Sequence, residues 1–526
     1  MEFLQVRDFG KSGLNTDLPA WDLPLSFLTN AQNYRIFNNK IFGFGGTKKH
    51  VDLPGGFNAY HVLFTPTPTD NYWMFAGDQI WVYDGTTFTQ IGDTLPNYAH
   101  SPNGWTNCKL GRVPILNNRG YYPTYWNPQE TDTKLAILPF DATDNWEAKQ
   151  WSCRAMRSFG PYLIALNMKE GVDEYPDTVR WSHPAERNGI PPTWDETDPA
   201  SLAGINVLGG DGGDIIDGLA LRNSFVIYRD NGITVLDYSN DSYVFNARNL
   251  TSSIHIANAN CISEVKGMHF VVCSNDVVAV TGDQVKSLMH ERIRVRYASV
   301  VNQDAMDFAY AVHNTTTKEF WAFVPTGDAI YPSEAWVYNY KEDTWSIHDV
   351  NLPPHADFGN LDSNTRIWGD QVDPGLLPDI WDETWDTATG NWARKNNSVF
   401  NSTMLGPDLA APSSVQLLDQ FNSETDYLTV LERTDYNLTN MQDVNTITRI
   451  YPHIKGTSEV TFTVGSQDHA GAPVRWKPSV KFDPKRQRKI DVRTTGELFS
   501  FKITVGTNSS FEFSGMDIEY VQDGLR

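Results

Sequence analysis

The stretch Asn71-Tyr-Trp-Met-Phe-Ala-Gly-Asp-Gln-Ile-Trp-Val-Tyr-Asp-Gly85 reads as an aromatic strand, a polar turn and a second aromatic strand closing on Asp-Gly. The pattern returns as Ser224-Phe-Val-Ile-Tyr-Arg-Asp-Asn-Gly-Ile-Thr-Val-Leu236 and as Met268-His-Phe-Val-Val-Cys-Ser-Asn-Asp-Val-Val-Ala-Val280. A last copy is split between Lys318-Glu-Phe-Trp-Ala-Phe-Val324 and Ala335-Trp-Val-Tyr-Asn-Tyr-Lys-Glu-Asp-Thr-Trp345. Asp-Gly, Asn-Gly and Asn-Asp mark hairpins because these residues tolerate the positive φ of short β-turns. Small sheets repeated along a chain cannot each bury both faces; arranged radially about an axis they can. The expected fold is all-β: a β-propeller with an N-terminal hairpin section and a C-terminal β-sandwich-like domain.

Composition agrees with that class. Aromatics are 13% of the 526 residues, and 38 Gly with 29 Pro punctuate them. Helical periodicity is sparse, with Ser287–Tyr297 and Ala411–Asn422 the best short candidates. No apolar run reaches the length of a membrane span. Met1-Glu-Phe-Leu-Gln-Val-Arg-Asp-Phe-Gly10 lacks the basic and apolar regions of a secretory leader, so synthesis and assembly in a cytoplasm are expected.

Three sections are expected. Residues 1–50 form an extended, Pro-pinned opening that ends in the hairpin Ala31-Gln-Asn-Tyr-Arg-Ile-Phe-Asn-Asn-Lys-Ile-Phe-Gly-Phe-Gly-Gly46. Residues 51–395 are assigned to the propeller, with an irregular insertion near 94–150 that is either functional or a set of unrecognised short strands. Residues 396–526 alternate apolar and polar positions, as in Glu459-Val-Thr-Phe-Thr-Val-Gly465, and are assigned to the sandwich. Trp-Asp-Glu-Thr occurs twice, at Trp194–Thr197 and Trp381–Thr384, which is either coincidence or a trace of internal repetition.

Candidate chemistry is thin. The four cysteines, Cys108, Cys153, Cys261 and Cys273, lack metal spacing and read as buried free thiols. Gly209-Gly-Asp-Gly-Gly-Asp-Ile-Ile-Asp217 offers three carboxylates among glycines, but without the alternating acids of a calcium loop or the Gly-Lys of a phosphate loop. It reads as an inter-strand turn. Adjacent acids at Asp195 and Glu196, or at Asp382 and Glu383, point to opposite faces of a strand, whereas glycoside hydrolysis needs two carboxyls converging across a cleft. The acids of Tyr338-Asn-Tyr-Lys-Glu-Asp-Thr-Trp345 belong to a kelch-like hairpin. The histidines show no zinc or nucleophile-elbow pattern. No enzyme, metal or cofactor is expected.

Charge says more. The net charge is −22, which disfavours ordinary nucleic-acid binding. Arg475–Lys502 nevertheless holds nine Lys or Arg against three acids, and Asp357–Asp386 holds eight acids against Arg366. Either run is a solvated face or a docking patch.

Three segments together resemble the tail hub, or nozzle, proteins of short-tailed bacteriophages. They are Gly13-Leu-Asn-Thr-Asp-Leu-Pro19 with the hairpin through Gly46, the blade units of about 55–350, and the closing strands Thr495-Gly-Glu-Leu-Phe-Ser-Phe-Lys-Ile503 and Phe513-Ser-Gly-Met-Asp-Ile-Glu-Tyr520 with Gly524-Leu-Arg526. The resemblance implies a structural virion protein, assembled in the host cytoplasm as a homo-oligomeric ring of six below the portal and adaptor. Such a ring retains packaged DNA and conducts it at ejection, and tail fibres or spikes are further possible partners. An acidic conduit would repel phosphates and let DNA slide. The basic segment, with Lys485, Arg486, Arg488 and Lys489, would then make a protein–protein contact. A glycan-binding receptor-recognition tail protein and a propeller-type carbohydrate-active enzyme are the alternatives.

Overall fold

The computed structural model describes every residue except 1, 67–70, 93–103, 128–133, 240–243, 252–253, 351–352, 361–401, 409–413, 421–426, 441, 457–458, 507–510 and 526. Over the described residues the chain forms an all-β propeller of seven four-stranded antiparallel sheets, joined to a sandwich of two six-stranded sheets. Among the described residues no helix is long and apolar enough to cross a membrane.

Each of the first six blades is one continuous meander, running outward from the axis. Their innermost strands are Ala59–Pro66, Trp105–Leu110, Trp151–Phe159, Ile215–Leu221, Ile262–Val265 and Tyr310–Asn314. The seventh blade differs. Asp357–Asn360, Ser402–Pro407 and Ser414–Gln420 supply three strands, and Gly46–Asp52 from the start of the chain pairs onto Ser414–Gln420 as the outermost. Blade seven in turn packs on the innermost strand of blade one, so the ring closes through a strand from each end of the propeller segment.

The hairpin chemistry explains the blades. Asn38 and Asn39 both hold positive φ (49° and 59°) in the two-residue turn where Phe37 pairs with Lys40. In the Tyr338–Trp345 hairpin, the Asn339 carboxamide accepts the backbone N–H groups of Lys341 and Glu342, and the Tyr338 hydroxyl donates to Asp343 Oδ1 (2.6 Å). Those acids are structural, as the sequence suggested. Between blades the apolar faces interdigitate around Trp73, Trp105, Trp146, Trp194, Trp321, Trp336 and Trp345, all fully buried. Burying a large side chain is worth about 2–3 kcal/mol, so these tryptophans are a major share of the driving force.

Three expectations need correction, and one open alternative is decided. Residues 1–50 are no separate section: Glu2–Val6, Tyr34–Phe37 and Lys40–Gly43 join one sandwich sheet and Asn30–Gln32 the other. The propeller does not end at 395, since 402–420 completes blade seven. The irregular stretch near 94–150 is, over its described part, blade two: Trp105–Leu110, Val113–Asn118, Thr124–Tyr125 and Ala136–Ile137, then the one-turn helix Trp146–Lys149. Its strands are too short and Pro-interrupted for a visible period. Finally, the described part of 411–422 is the strand Ser414–Gln420 and not a helix, whereas Ser287–Tyr297 does lead into the helix Arg294–Val300. A short apolar run cannot distinguish the two states by period alone.

The sandwich is anchored on blades five and six. Gly13 (φ +81°) lies against the Thr344–Trp345 backbone, where a Cβ would come within 3.1 Å, so this position needs glycine twice over. The Asp17 carboxylate accepts the first N–H groups of the helix Arg294–Val300. Tyr34 donates to the Trp345 carbonyl (2.7 Å). One continuous core runs from Val226 and Phe270 in the propeller to Phe501 and Ile518 in the sandwich.

Candidate functional site: a basic groove on the sandwich and a closed axis

The basic segment folds into a defined turn. Asp483 Oδ1 accepts the Lys485 N–H (2.9 Å), its carbonyl accepts the N–H groups of Arg486 and Gln487, and Gln487 Oε1 closes back onto the Asp483 N–H (3.0 Å). Lys485, Arg486, Arg488 and Lys489 are all exposed on this turn, but they are not equivalent. Arg486 lies 3.5 Å from Asp483, and Lys489 pairs with Asp491 (3.1 Å). Lys485 and Arg488 make no ion pair among the described residues.

Arg488 lines an open groove of about 740 Å³ between this turn and the sheet formed by Glu2–Val6, Asp443–Gly456 and Phe511–Leu525. The sequence reading missed the groove because its walls bring together residues as distant in the chain as Phe3 and Asp517. Phe3, 62% exposed, lies 6.1 Å from the Tyr451 ring on one wall. Lys455 adds a second cation without an ion pair among the described residues. The acids in the groove are already held: Asp517 by Arg7 (2.9 Å) and His453 (3.1 Å), Glu512 by Lys40 (2.6 Å). The site therefore presents unpaired positive charge beside an exposed aromatic surface, which suits an acidic protein segment carrying apolar side chains.

The propeller axis is closed by a network that sequence reading also missed. From blade three, Arg157 donates to both Asp217 oxygens (2.7 and 2.6 Å), to the Asn107 carbonyl (2.5 Å) and to Asn260 Oδ1 (2.9 Å). Asp217 accepts further from the Gly218 and Asn260 N–H groups. The ion pair is thus almost fully satisfied in a buried setting, the condition under which such a pair is tolerated. Beside it the His61 and His355 rings meet at a tilt of 36° with centroids 3.9 Å apart, and Asn107 Nδ2 donates to His61 Nε2 (2.6 Å). Burial, reinforced by the Arg157 charge, holds His355 down to about 3, so both imidazoles are neutral at ordinary pH. The free space left at this level is about 150 Å³.

The remaining candidates take structural places. Gly209–Asp217 is the link between blades three and four; Arg229 binds its carbonyls at Leu208, Gly209 and Gly213, and Asp217 turns inward to Arg157. Asp195 accepts from Thr197, while Glu196 pairs with Arg180 (2.7 Å), so the two acids serve different contacts. Asp382, Glu383 and the second Trp-Asp-Glu-Thr lie outside the described residues, as does most of the acidic stretch beyond Asn360. All four cysteines are buried and free, and burial pushes the Cys108 thiol up to about 12. Among the described residues no three His, Cys, Asp or Glu side chains converge as metal ligands would.

No family model matches the chain, and no curated protein matches it. Solved structures to which it is similar include YCF48 bound to a D1 peptide, at 10% identity and TM-score 0.32, over 63% of this chain and 86% of that one. Another is the extracellular domain of the hybrid two-component system BT4673 from B. thetaiotaomicron, at 11% identity and TM-score 0.34, over 62% of this chain and 39% of that one.

Proposed function

We infer that this chain is a structural protein of a short bacteriophage tail, building a ring-shaped nozzle or hub, of six copies by the resemblance, that sits below the portal and adaptor. The observation that carries the reading is the groove on the sandwich. A chain of net charge −22 keeps Lys455, Lys485 and Arg488 unpaired on a preformed surface, where an acidic neighbour would neutralise them. Heterologous contacts of this kind, patch to a different patch, generate rings where the rotation between copies closes. The filled axis narrows the mechanism. With only about 150 Å³ beside Arg157, a DNA conduit in this reading runs between copies, around the ring axis, and never through an individual propeller. The protein's role is then geometric and electrostatic, without catalysis or cofactor.

The test is the solution mass of the purified chain, alone and with a cognate adaptor ring. A 59.4 kDa monomer that becomes a closed ring on the adaptor supports the reading. A chain that stays monomeric in both conditions overturns it in favour of a glycan-binding or hydrolytic propeller. Reversal of Lys485, Arg486, Arg488 and Lys489 to Glu is expected to block assembly while leaving the fold intact, because none of the four is buried.

A further inference from the structure

Trp-Asp-Glu-Thr occurs twice in this chain, and the copy at 194–197 shows how the tetrapeptide anchors itself. Trp194 is 1% exposed, with its ring 4.9 Å from that of Trp146. Asp195 turns back on its own motif and accepts the N–H (2.9 Å) and the hydroxyl (2.6 Å) of Thr197. Glu196 is left to reach outward. It pairs with Arg180 (2.7 Å), whose guanidinium lies 4.2 Å from the centroid of the Trp151 ring. The tetrapeptide thus uses two anchors, an indole among aromatic rings and a carboxylate on an arginine that itself lies over an aromatic.

The groove on the sandwich holds the complementary parts. Asp443–Gly456 is flanked by Ile490–Gly496 only as far as Ile450, so among the described residues 451–456 keeps an open sheet edge, and this edge lines the groove. An open edge invites pairing unless something covers it. Along it lie the Phe3 and Tyr451 rings and two cations, Arg488 and Lys455, that make no ion pair among the described residues. Phe482, which also lines the groove, is 2% exposed and packs edge-on against Phe462 (6.1 Å), a seat fixed before any partner arrives.

The second Trp-Asp-Glu-Thr, at 381–384, belongs to the length of chain between Asn360 and Ser402, which pair with each other in blade seven. Residues 370–386 carry six acids and no Lys, Arg or His, with Val372, Leu376, Leu377, Ile380, Trp381 and Trp385 among them. Trp381 is about 20 residues from either anchor, a reach of up to about 70 Å, twice the width of a small domain. We propose that the groove is filled by 381–384 and its acidic flanks from a neighbouring copy of this chain, with Glu383 on Arg488, Trp381 beside Phe3 and Tyr451, and the flanking acids about Lys455. The giving surface is on blade seven and the receiving one on the sandwich, so each copy gives with one and receives with the other, head to tail. The inference rests on the ring proposed above and names the contact that builds it.

The first test is fluorescence anisotropy of a labelled peptide of 377–388 with the full chain carrying Trp381→Ala, whose own motif then does not compete. Saturable binding is expected. Arg488→Glu in the chain, or Glu383→Gln in the peptide, should weaken it by at least about tenfold, and Arg486→Glu should not, since Arg486 already faces Asp483. Arg488 is exposed, so its replacement leaves the fold intact. The second test mixes an Arg488→Glu chain with a Glu383→Arg chain. Each alone sets like charges together and should fail to form the ring on the adaptor; mixed equally they can alternate, every groove meets an opposite charge, and the ring should return in native mass. A motif seated in its own chain's groove would gain nothing from mixing. Peptide binding without a wild-type ring would sink the tail reading alone. No peptide binding, binding indifferent to Arg488→Glu, or, where wild type forms the ring, a mixture no more assembled than its parts, overturns the proposal.

Discussion

Removing the Arg35 guanidinium should loosen the join between sandwich and propeller. Arg35, on the sandwich hairpin, donates to Glu319 of blade six through Nε (2.6 Å) and Nη2 (2.9 Å), and to Asp419 of blade seven through Nη2 (2.5 Å). Its side chain is 14% exposed, and those of Glu319 and Asp419 are 2% and 15% exposed. Arg35→Met keeps the aliphatic stem but leaves two buried carboxylates facing each other. Breaking a buried pair from one side costs about 3–5 kcal/mol. The lower end is expected, because Glu319 retains Thr317 Oγ1 (2.8 Å) and Trp321 Nε1 (3.1 Å) and Asp419 retains the Gly45 N–H (3.3 Å). The assay is urea unfolding of wild type, Arg35→Met, Glu319→Gln and the double variant, which isolates the pair's coupling. The pH dependence adds a second check. Burial already raises the Asp419 carboxyl, and loss of the Arg35 charge raises it further. A folded-state pKa above the unfolded value means that the folded state binds the extra proton, so the variant's deficit should shrink as pH falls from 7 toward 5. A loss below about 1 kcal/mol, the range of exposed pairs, or a deficit independent of pH, would refute the argument.

Other outcomes follow from the same structure. Asp217→Ala strands the Arg157 guanidinium on the axis and should cost about 3–5 kcal/mol in urea unfolding; a loss under 1 kcal/mol would mean that Asn260 and the Asn107 carbonyl suffice. His269 and His355 are held down to about 4 and about 3 from 6.5, chiefly by burial. The unfolded chain therefore binds protons that the folded chain refuses, and stability should fall by about 1.4 kcal/mol per pH unit for each as pH drops from about 6 toward 4. Midpoints that stay level between pH 7 and 5 would contradict this. Ellman's reagent should titrate none of the four cysteines in the native protein and all four in denaturant, since each is buried; a thiol reacting at once in buffer would show an opening that the packing does not allow. Arg488→Glu should impair assembly more than Arg486→Glu, because Arg486 already has Asp483 as a partner; the reverse ranking in a native-mass assay would move the contact out of the groove.

The local code was legible where it was local. Asn38-Asn39 and the Tyr338–Trp345 hairpin announced their turns, because positive φ and side-chain-to-backbone bonds depend on a few adjacent residues, whereas the Asn231-Gly232 signal lay one position off, the turn being Asp230-Asn231 with Gly232 already paired to Arg229. The basic turn at Lys485–Lys489 was legible as charge alone. The groove it borders was not, since Phe3 and Tyr451 meet only through a sheet that joins both ends of the chain. The axis was illegible for the same reason: Arg157, Asp217 and His355 are single polar residues in apolar surroundings, distinguishable from surface positions only after the blades converge. Blade two hid because Thr124–Tyr125 and Ala136–Ile137 are too short to show alternation.

The pairing of the chain's two ends also sets the order in which this fold can form. Gly46–Asp52 finds its partner only in Ser414–Gln420, and Glu2–Val6 only in Phe511–Leu525. Asn30–Gln32 waits for Leu428–Tyr436. Blades one to six, by contrast, are meanders of neighbouring strands that can pair as they emerge, because short loops close at little entropic cost. Apart from the local hairpin of Tyr34–Phe37 with Lys40–Gly43, the strands of the first 52 residues therefore lack sheet partners until nearly the whole chain exists, and their pairing closes the propeller and completes the sandwich. Arg35 sits where that step is registered, touching blade six, blade seven and the sandwich at once. A contact placed there makes closure of the ring and docking of the sandwich mutually dependent.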